Sequence, residues 1–326
     1  MTAAATNQQS FILLCGAELR KLRGRGLLAA VLLFGAAHGV AAAAAIKGME
    51  LLGNKFIEGQ GQQELGDPLD FTVAGELALN LSISPVNGFA LLLLFSILWA
   101  EDFSLGTMAM IFSRPVERWR VFAAKFATAL GCGFASVTLA VGTGLLFGLV
   151  LFGTTADVSL LDNAPLVGWM AQFPEITTRL THTLSGVLAG TLLLIPAIAV
   201  AALIGSLTRS PVMTLFGSML ILFADFFVHS VLGIWAGSEL ESSELVLQIN
   251  NWSIWAGRDL FDVHGPWAAA WAPESVDAAS AALANAVGTL SVSPWDVLWQ
   301  PLSATVLWGM VLGALALGLF CKRDVT

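Results

Sequence analysis

A chain of 326 residues is long enough for two ordinary domains, but 56% of its residues are hydrophobic and only 12% are charged. Soluble domains carry about 25% charged residues, so this composition excludes a soluble enzyme or binding module and indicates an integral membrane protein. The net charge of -8 is unevenly spread, because acids concentrate in some of the segments between apolar runs and Lys and Arg in the others. The basic segments are expected on the cytoplasmic side, and no basic face with stacking aromatic residues indicates a nucleic-acid partner.

The sequence contains no catalytic or metal-binding pattern. The absence of a Gly-Lys dipeptide excludes the phosphate-binding loop of an ATPase within this chain. Neither Gly-x-Ser-x-Gly nor His-Glu-x-x-His occurs, and the four histidines are scattered. Cys15, Cys132 and Cys321 fall outside the expected outer loops, so no disulfide is expected. We therefore expect this chain to have no enzymatic activity and to bind no cofactor or metal.

The first predicted element is a helix over residues 10–26. Phe11, Cys15, Leu19 and Leu22 recur at helical spacing on one face, and the second half is rich in basic residues. This pattern predicts an interfacial helix on the cytoplasmic leaflet, although a plain polybasic anchor would have the same composition. The charged residues assigned to this helix are Glu18, Arg20, Lys21 and Arg25.

The apolar run Leu27–Ile46 has the length of a first membrane span, since about 20 residues cover about 30 Å. Cleavage as a secretory signal peptide is the alternative, because Ala41–Ala45 offers small residues, but the region before the run is too long for one. Lys47–Val86, which is acidic and rich in Gly and Gln up to Asp70, is expected to be an outer loop. Asn87–Ala100 is expected to be the second span.

Residues 101–120 form a short charged hairpin between two apolar runs. Ser104 is expected to cap a short helix that ends at Phe112, and Pro115 to stand at the first position of the next helix. Basic residues crowd the return to the membrane and place the hairpin on the cytoplasmic side. They are Arg114, Arg118, Arg120 and Lys125. A short, charged and internally structured membrane loop is a candidate docking surface, although its cations could serve only to hold the topology.

Four further apolar runs complete an all-α, six-span topology with both termini cytoplasmic. They are approximately Val121–Phe152, Thr183–Leu207, Val212–Ile234 and Leu302–Phe320. Gly153–His182 is the second outer loop. Between the fourth and fifth spans a tight turn is expected, with Ser210 as N-cap and Pro211 at the first helical position. The whole chain, residues 1–326, is predicted to be one transmembrane domain.

Asp225 and His229 lie one helical turn apart in the fifth span. Ionisable residues within a span usually face the interior of the bundle. The pair is therefore a candidate for the substrate pathway. The alternatives are a mutual Asp–His hydrogen bond that holds helices together, or proximity to the outer surface.

Residues 235–301 are expected to be an extracytoplasmic segment that contains helices. Val276, Ala279, Leu283, Val287 and Leu290 have helical spacing, and Ser293-Pro294 marks a helix start before the last span. Most of the tryptophans in this segment cluster in its later part: Trp252, Trp255, Trp267, Trp271, Trp295 and Trp299. They are typical of helices at the outer headgroup layer; an outer gate, or a site for an extracytoplasmic partner, is the alternative.

Four pieces of the chain, in order, resemble the ABC-2-type permease family, the membrane half of ABC exporters. The first lies in the predicted interfacial helix, Ala17-Glu18-Leu19-Arg20-Lys21-Leu22, and the second covers the hairpin: Glu101 with Gly106-Thr107, Ser113 to Arg118 and Lys125. The others are Ala202 to Ser210 and the ending Leu319 to Asp324. The outer segment before the last span is longer than is usual in that family.

The resemblance implies that this chain is the permease subunit of an exporter, with the hairpin as the element coupling it to an ATPase. The residues to which it assigns that role are Glu101, Ser104, Gly106, Thr107, Arg114, Pro115 and Arg118. It implies separate cytosolic ABC ATPase subunits that bind ATP and Mg, a second permease copy or homologous permease, contact with membrane lipids, and a bacterial cytoplasmic (inner) membrane location. The alternative function is a membrane scaffold or a secondary transporter without an ATPase.

Overall fold

The computed structural model describes residues 2–59, 70–83, 85–112, 117–154, 176–238 and 294–322, and every regular element in these ranges is a helix. The expected all-α fold class is confirmed in this part of the chain. The helices are α1 (Thr2–Gly24), α2 (Leu27–Gly59), α3 (Phe71–Ile83), α4 (Pro85–Ser104), α5 (Thr107–Phe112), α6 (Arg118–Phe152), α7 (Ile176–Leu192), α8 (Ile195–Thr208), α9 (Pro211–Ser238) and α10 (Pro294–Lys322).

Five of the described helical segments are long and apolar enough to cross a membrane. They are Leu27–Leu51, Arg118–Phe152, Arg179–Thr208, Pro211–Val228 and Leu302–Lys322. These correspond to the first, third, fourth, fifth and sixth expected spans, and they support an integral membrane protein. The second expected span falls within α4, a 20-residue helix whose last turns carry Glu101 and Asp102.

The expected turn before the fifth span is confirmed. Helix α9 begins at Pro211, and the backbone N–H of Met213 lies 3.5 Å from the hydroxyl oxygen of Ser210. Arg209 adopts a left-handed conformation with φ 58° and donates its N–H to the Gly205 carbonyl, which ends α8. Proline thus supplies a helical first residue while serine accepts from a free helix N–H.

The first expected outer loop contains more helix than the sequence analysis assigned to it. Helix α2 continues to Gly59, beyond the expected end at Ile46, and residues 71–83 form α3. Ala74, Ala78 and Leu79 of α3 are fully buried. A segment expected as a loop is therefore, in this part, a packed helix.

Close packing of α2, α3 and α6 depends on glycine residues at the points of contact. A Cβ at Gly39 of α2 would lie 2.2 Å from the Ala140 carbonyl oxygen of α6, and one at Gly144 would lie 2.8 Å from that of Ala74. Small residues let membrane helices approach closely enough for their backbones to pack. Glycine at these positions therefore sets the separation of the three helices.

The span that includes α7 and α8 is interrupted at Leu193–Leu194. Pro196 stands at the start of α8 and cannot donate the backbone hydrogen bond that would continue α7. The N–H groups of Leu193 and Leu194 donate to Ala189 and Thr191 at 3.1 Å, so the chain crosses the interruption without losing these contacts. Pro196 therefore accounts for the interruption between α7 and α8.

Aromatic side chains join α4, α6 and α10 near one end of the bundle. Trp99 is buried, and its ring centroid lies 4.6 Å from that of Phe122 and 6.3 Å from that of Phe320. Phe122 and Phe320 are 5.7 Å apart in an edge-to-face arrangement, a geometry that aromatic pairs favour. This contact fixes the ends of three helices beside the hairpin.

Candidate functional site

A buried ionic cluster lies where α1, α4 and α6 meet. Lys125 of α6 is fully buried, and its Nζ lies 2.6 Å from Oδ2 of Asp102 and 3.3 Å from Oε2 of Glu18. Lys21 of α1 approaches the same acids, with its Nζ 3.1 Å from Glu18 Oε1 and 3.0 Å from Asp102 Oδ2. Glu18, Lys21, Asp102 and Lys125 are called the Lys125 cluster below.

The Lys125 cluster pairs two acids with two bases, so its formal charges balance. A buried charge is tolerated only when it is paired and hydrogen-bonded. Lys125 meets this requirement with a third bond, since its Nζ donates to the Leu98 carbonyl oxygen at 2.7 Å. The cluster therefore holds α1 against α4 and α6, and each of its four charged groups contacts two groups of opposite charge.

The ionisation of Asp102 follows from these contacts. Burial raises the pKa of its carboxyl group, but the ammonium groups of Lys125 and Lys21 outweigh burial and lower the pKa to about 2. Burial likewise lowers the pKa of Lys21, and the carboxylates of Glu18 and Asp102 outweigh it, so the net shift is upward. Asp102 and Lys21 are both charged at neutral pH.

The hairpin is attached directly to this cluster. The hydroxyl of Thr107, the first residue of α5, donates to Oδ1 of Asp102 at 3.1 Å and lies 3.2 Å from the Asp102 carbonyl oxygen. Between α4 and α5 the chain turns at Gly106, whose φ is +69° and whose N–H donates to the Phe103 carbonyl. Glycine adopts this left-handed conformation without a steric penalty. The start of α5 is therefore fixed to the ends of α4 and α6.

A second ion pair joins α1 to the hairpin. Arg25, in the turn after α1, pairs with Glu101 of α4. Together with the Lys125 cluster, this pair places charged side chains of the predicted interfacial helix in contact with the predicted coupling hairpin. Sequence reasoning assigned these residues to two separate elements, and the structure brings them together.

The N-terminal helix is confirmed, but its buried face differs from the apolar stripe predicted for it. Helix α1 buries Glu18 and Leu22 against the bundle, whereas Leu19 is 41% exposed. Ile12 and Leu13 are also exposed, and so is Arg20. The exposed face thus carries apolar and cationic residues, which is the composition of a helix at a membrane surface.

The other predicted hairpin residues have separate positions. Ser104 is the last residue of α4 and donates to the Glu101 carbonyl oxygen, so the prediction that it caps α5 is wrong. Arg118 begins α6 and donates through Nη1 to the Cys321 carbonyl oxygen of α10 at 2.8 Å. Arg114 and Pro115 lie outside the described residues, but α6 begins at Arg118 with Glu117 as its N-cap, so the prediction that Pro115 is the first residue of that helix is wrong.

Sequence reasoning did not assign Asp102 or Lys125 to the site. The signal was present, because Lys125 stands at the eighth position of the apolar helix α6, where an unpaired ammonium would be costly. Asp102 lies 23 positions before it, at the start of the hairpin. A lysine inside a span therefore indicated a buried acid partner, but the sequence did not identify which acid.

Asp225 lies on the face of α9 that turns toward the bundle. Thr214, Ser218 and Leu222 are buried on this face, and Asp225 follows at helical spacing with an intermediate exposure. Helix α9 packs against α4 and α8. The side chain of His229 lies outside the described residues, so the predicted Asp225–His229 pairing stays a prediction.

A second buried ionic cluster joins α3 to α7. Arg179 of α7 pairs with Asp70, the residue before α3, and Asp70 Oδ1 accepts the backbone N–H of Thr72 at 2.9 Å. One turn further, His182 Nδ1 lies 3.3 Å from Glu76 Oε2. These four ionisable residues, Asp70, Glu76, Arg179 and His182, are called the Arg179 cluster. No group of three potential metal ligands occurs within the described ranges.

The two clusters lie near opposite ends of α6. The first cluster contains Lys125 of α6. The second lies beside Leu145 of α6, because a Cβ on Gly75, the residue before Glu76, would lie 2.5 Å from the Leu145 side chain. The 20 residues from 125 to 145 rise about 30 Å, which is the thickness of the hydrocarbon core of a bilayer. The free-energy cost of placing both clusters in a membrane is lowest at this separation, because each cluster can then lie at an edge of the hydrocarbon core.

Residues 41–251 match the model of DUF2705, a family described as proteins of unknown function. This match covers more than half of the chain. The chain belongs to the DUF2705 family. The matched part of this DUF2705 protein includes Asp102, Lys125 and the Arg179 cluster, whereas α1 and α10 lie outside it. A comparison with curated proteins found no significant match, and neither did a comparison with solved structures.

Proposed function

We propose that this protein is the permease subunit of an ABC exporter, in which a separate cytosolic ATPase binds the α4–α5 hairpin. The observation that carries the proposal is the attachment of α5 to the Lys125 cluster through Thr107 and Asp102. In this proposal α4 is the second of six spans, and both termini are cytoplasmic in a bacterial inner membrane. The basic residues of α1 and of the start of α6 are then on the cytoplasmic side.

Coupling in this proposal depends on a stiff connection between α5 and the membrane helices. A helix attached by a flexible loop would absorb a push from a partner, whereas α5 is joined by a tight glycine turn and by side-chain bonds to α4. The ion pair between Asp102 and Lys125 then transmits the force to α6, which is a continuous helix of 35 residues. Closure of an ATPase beneath α5 would therefore move α4, α6 and α1 as one unit.

The translocation path in this proposal lies between two permease copies, either identical or homologous. Helices α4 and α9 line it, with Asp225 contributing a polar group. This assignment follows the resemblance to ABC-2-type permeases, and Asp225, which is partly exposed on α9, is the acidic residue in that helix. A carboxylate at this depth in a span is costly unless it serves a polar path or a specific partner.

A secondary transporter is the second candidate, and one observation favours it. Such transporters use interrupted helices and paired charges, and the Arg179 cluster includes two residues of the interrupted α7–α8 span, near the start of α7. Their sites, however, lie near the bilayer midplane. The position of the Arg179 cluster, about 30 Å along α6 from Lys125, instead places it at the edge of the hydrocarbon core.

The experiment that separates the two candidates is purification of the full chain from its native membrane in a mild detergent. Copurification of a protein with a Walker A motif, and ATP hydrolysis by the purified complex, are the results expected of an exporter. Purification without any ATPase, together with substrate uptake driven by an ion gradient in vesicles, would contradict the proposal and support the secondary transporter.

A further inference from the structure

An apolar groove runs between α6 and α10. Its volume is about 450 Å³, and its walls are the α6 segment Phe122–Leu130 and the α10 segment Gly309–Leu317. At one end the helices touch, through Arg118 and Cys321. Small residues, among them Ala127 and Gly313, leave the space open further along.

The groove opens to the outside of the bundle. Ala127 and Ala314 are exposed, and the Met310 side chain is 61% exposed. Both helices are among the candidate membrane spans, so the groove faces the bilayer. Hydrocarbon is the surrounding medium that can fill an apolar groove in this position.

One end of the groove is cationic. Arg118, Arg120 and Lys322 stand where α6 begins and α10 ends, close to the groove walls. Arg120 pairs with Glu117 at 2.7 Å, so these four residues carry a net charge of about +2 at neutral pH. The guanidinium of Arg120 lies 5.5 Å from the ring centroid of Trp119. Trp119 is 51% exposed, and an exposed tryptophan at a span end is typical of the headgroup level of a membrane.

We propose that this groove binds one anionic glycerophospholipid. An acyl chain lies between α6 and α10, and the phosphate lies at the end formed by Arg118, Arg120 and Lys322. Charge complementarity selects this occupant over a helix of a second copy. An apolar helix would fill the groove without using a cluster of cations at one end, whereas an anionic lipid uses both features.

Native mass spectrometry of the detergent-purified full chain, with phosphatidylglycerol or phosphatidylcholine added, tests the proposal. The chain retains phosphatidylglycerol in preference to phosphatidylcholine, and Gly313→Phe removes the preference by filling the groove. A Cβ at Gly313 meets nothing within 4 Å, so the new side chain enters open space. The matched control is Gly318→Phe, also on α10 with nothing within 4 Å but outside the groove, which keeps the preference.

A charge variant and a cross-linking measurement complete the test. Lys322→Gln reduces phosphatidylglycerol retention by about fivefold, as expected for one cation near an anionic headgroup. A photoreactive residue at Ala127 gives phosphatidylglycerol adducts in mixed-lipid membranes, and one at Gly131, also exposed on α6 but outside the groove, gives fewer. Equal retention of the two lipids, unchanged retention in Gly313→Phe, or cross-links from Ala127 to a second copy of the chain would overturn the proposal.

Discussion

The Nζ of Lys125 lies 2.6 Å from Oδ2 of Asp102, although the two residues are 23 positions apart and belong to different helices. The hairpin that separates them in sequence is the part of the chain that we propose docks an ATPase. The ion pair thus closes the base of this hairpin.

Replacing Lys125 should destabilise the protein strongly. Lys125→Met leaves Asp102 and Glu18 to share the half-buried Lys21, and breaking a buried pair costs about 3–5 kcal/mol. Thermal unfolding in detergent measures the loss. The control is Lys47→Met, which breaks the partly exposed Lys47–Glu50 pair on α2 and should cost less than about 1 kcal/mol. Equal losses in the two variants would mean that the Lys125 cluster does not hold the helices together.

The stability contributed by Asp102 should depend on acid pH. Its folded-state pKa is lowered from 3.8 to about 2, so its contribution, about 2 kcal/mol, is complete above pH 4 and is lost as pH falls toward 2. The gap in melting temperature between the unmodified chain and Asp102→Asn should therefore narrow between pH 5 and pH 3. A gap that stays constant over this range would show that Asp102 is not held ionised by its neighbours.

Glycine packing between α3 and α6 can be tested with two substitutions on one helix. Gly144→Leu forces a side chain against the Ala74 carbonyl, where a Cβ would already lie 2.8 Å away, and overpacking costs about 1–3 kcal/mol or more. Gly142→Leu, two residues earlier, places its Cβ in open space and serves as the control. The yield and melting temperature of folded protein should fall only for Gly144→Leu; equal behaviour would contradict the close approach.

Asp225 should be needed for transport but not for assembly. Asp225→Asn removes the charge from the inward face of α9 while keeping the size of the side chain, so transport falls and the complex still purifies. Asp225→Glu, which retains a carboxylate, should keep part of the activity. Normal transport by a stable Asp225→Ala protein would exclude a role for this residue in the path.

The sequence predicted those parts of the fold that depend on local patterns. Five spans are visible as long apolar runs, and Ser210-Pro211 marks a helix start through its own chemistry. Helix α3 was not predicted because its 13 residues are too few to cross a membrane, and its buried polar groups have partners such as His182 more than 100 positions away. A short apolar helix beside an acidic, Gly- and Gln-rich stretch resembles part of a loop when it is read alone.

The candidate site was predicted in its location but not in its contacts. Gly106 and Thr107 were assigned to the hairpin, and the structure gives them the turn and the bond to Asp102. The pairing of Lys21 and Lys125 with shared acids joins residues from three helices, and no local spacing specifies it. Arg118 was assigned to the partner surface because it is basic, whereas its position against Cys321 is a result of packing.

The most direct test of the account is the amount of ATPase retained by two valine variants of the full chain. Gly106 has φ +69° and Gly153 has φ +74°, and a Cβ at either position meets nothing within 4 Å, so Val introduces backbone strain without a steric clash at both. Gly106 immediately precedes α5, whereas Gly153 is the C-cap of α6, at the end of that helix away from the hairpin. Copurification of the ATPase and substrate-stimulated hydrolysis should be lost in Gly106→Val and kept in Gly153→Val. Full retention of both in a stably inserted Gly106→Val protein would contradict the assignment of this hairpin as the coupling element.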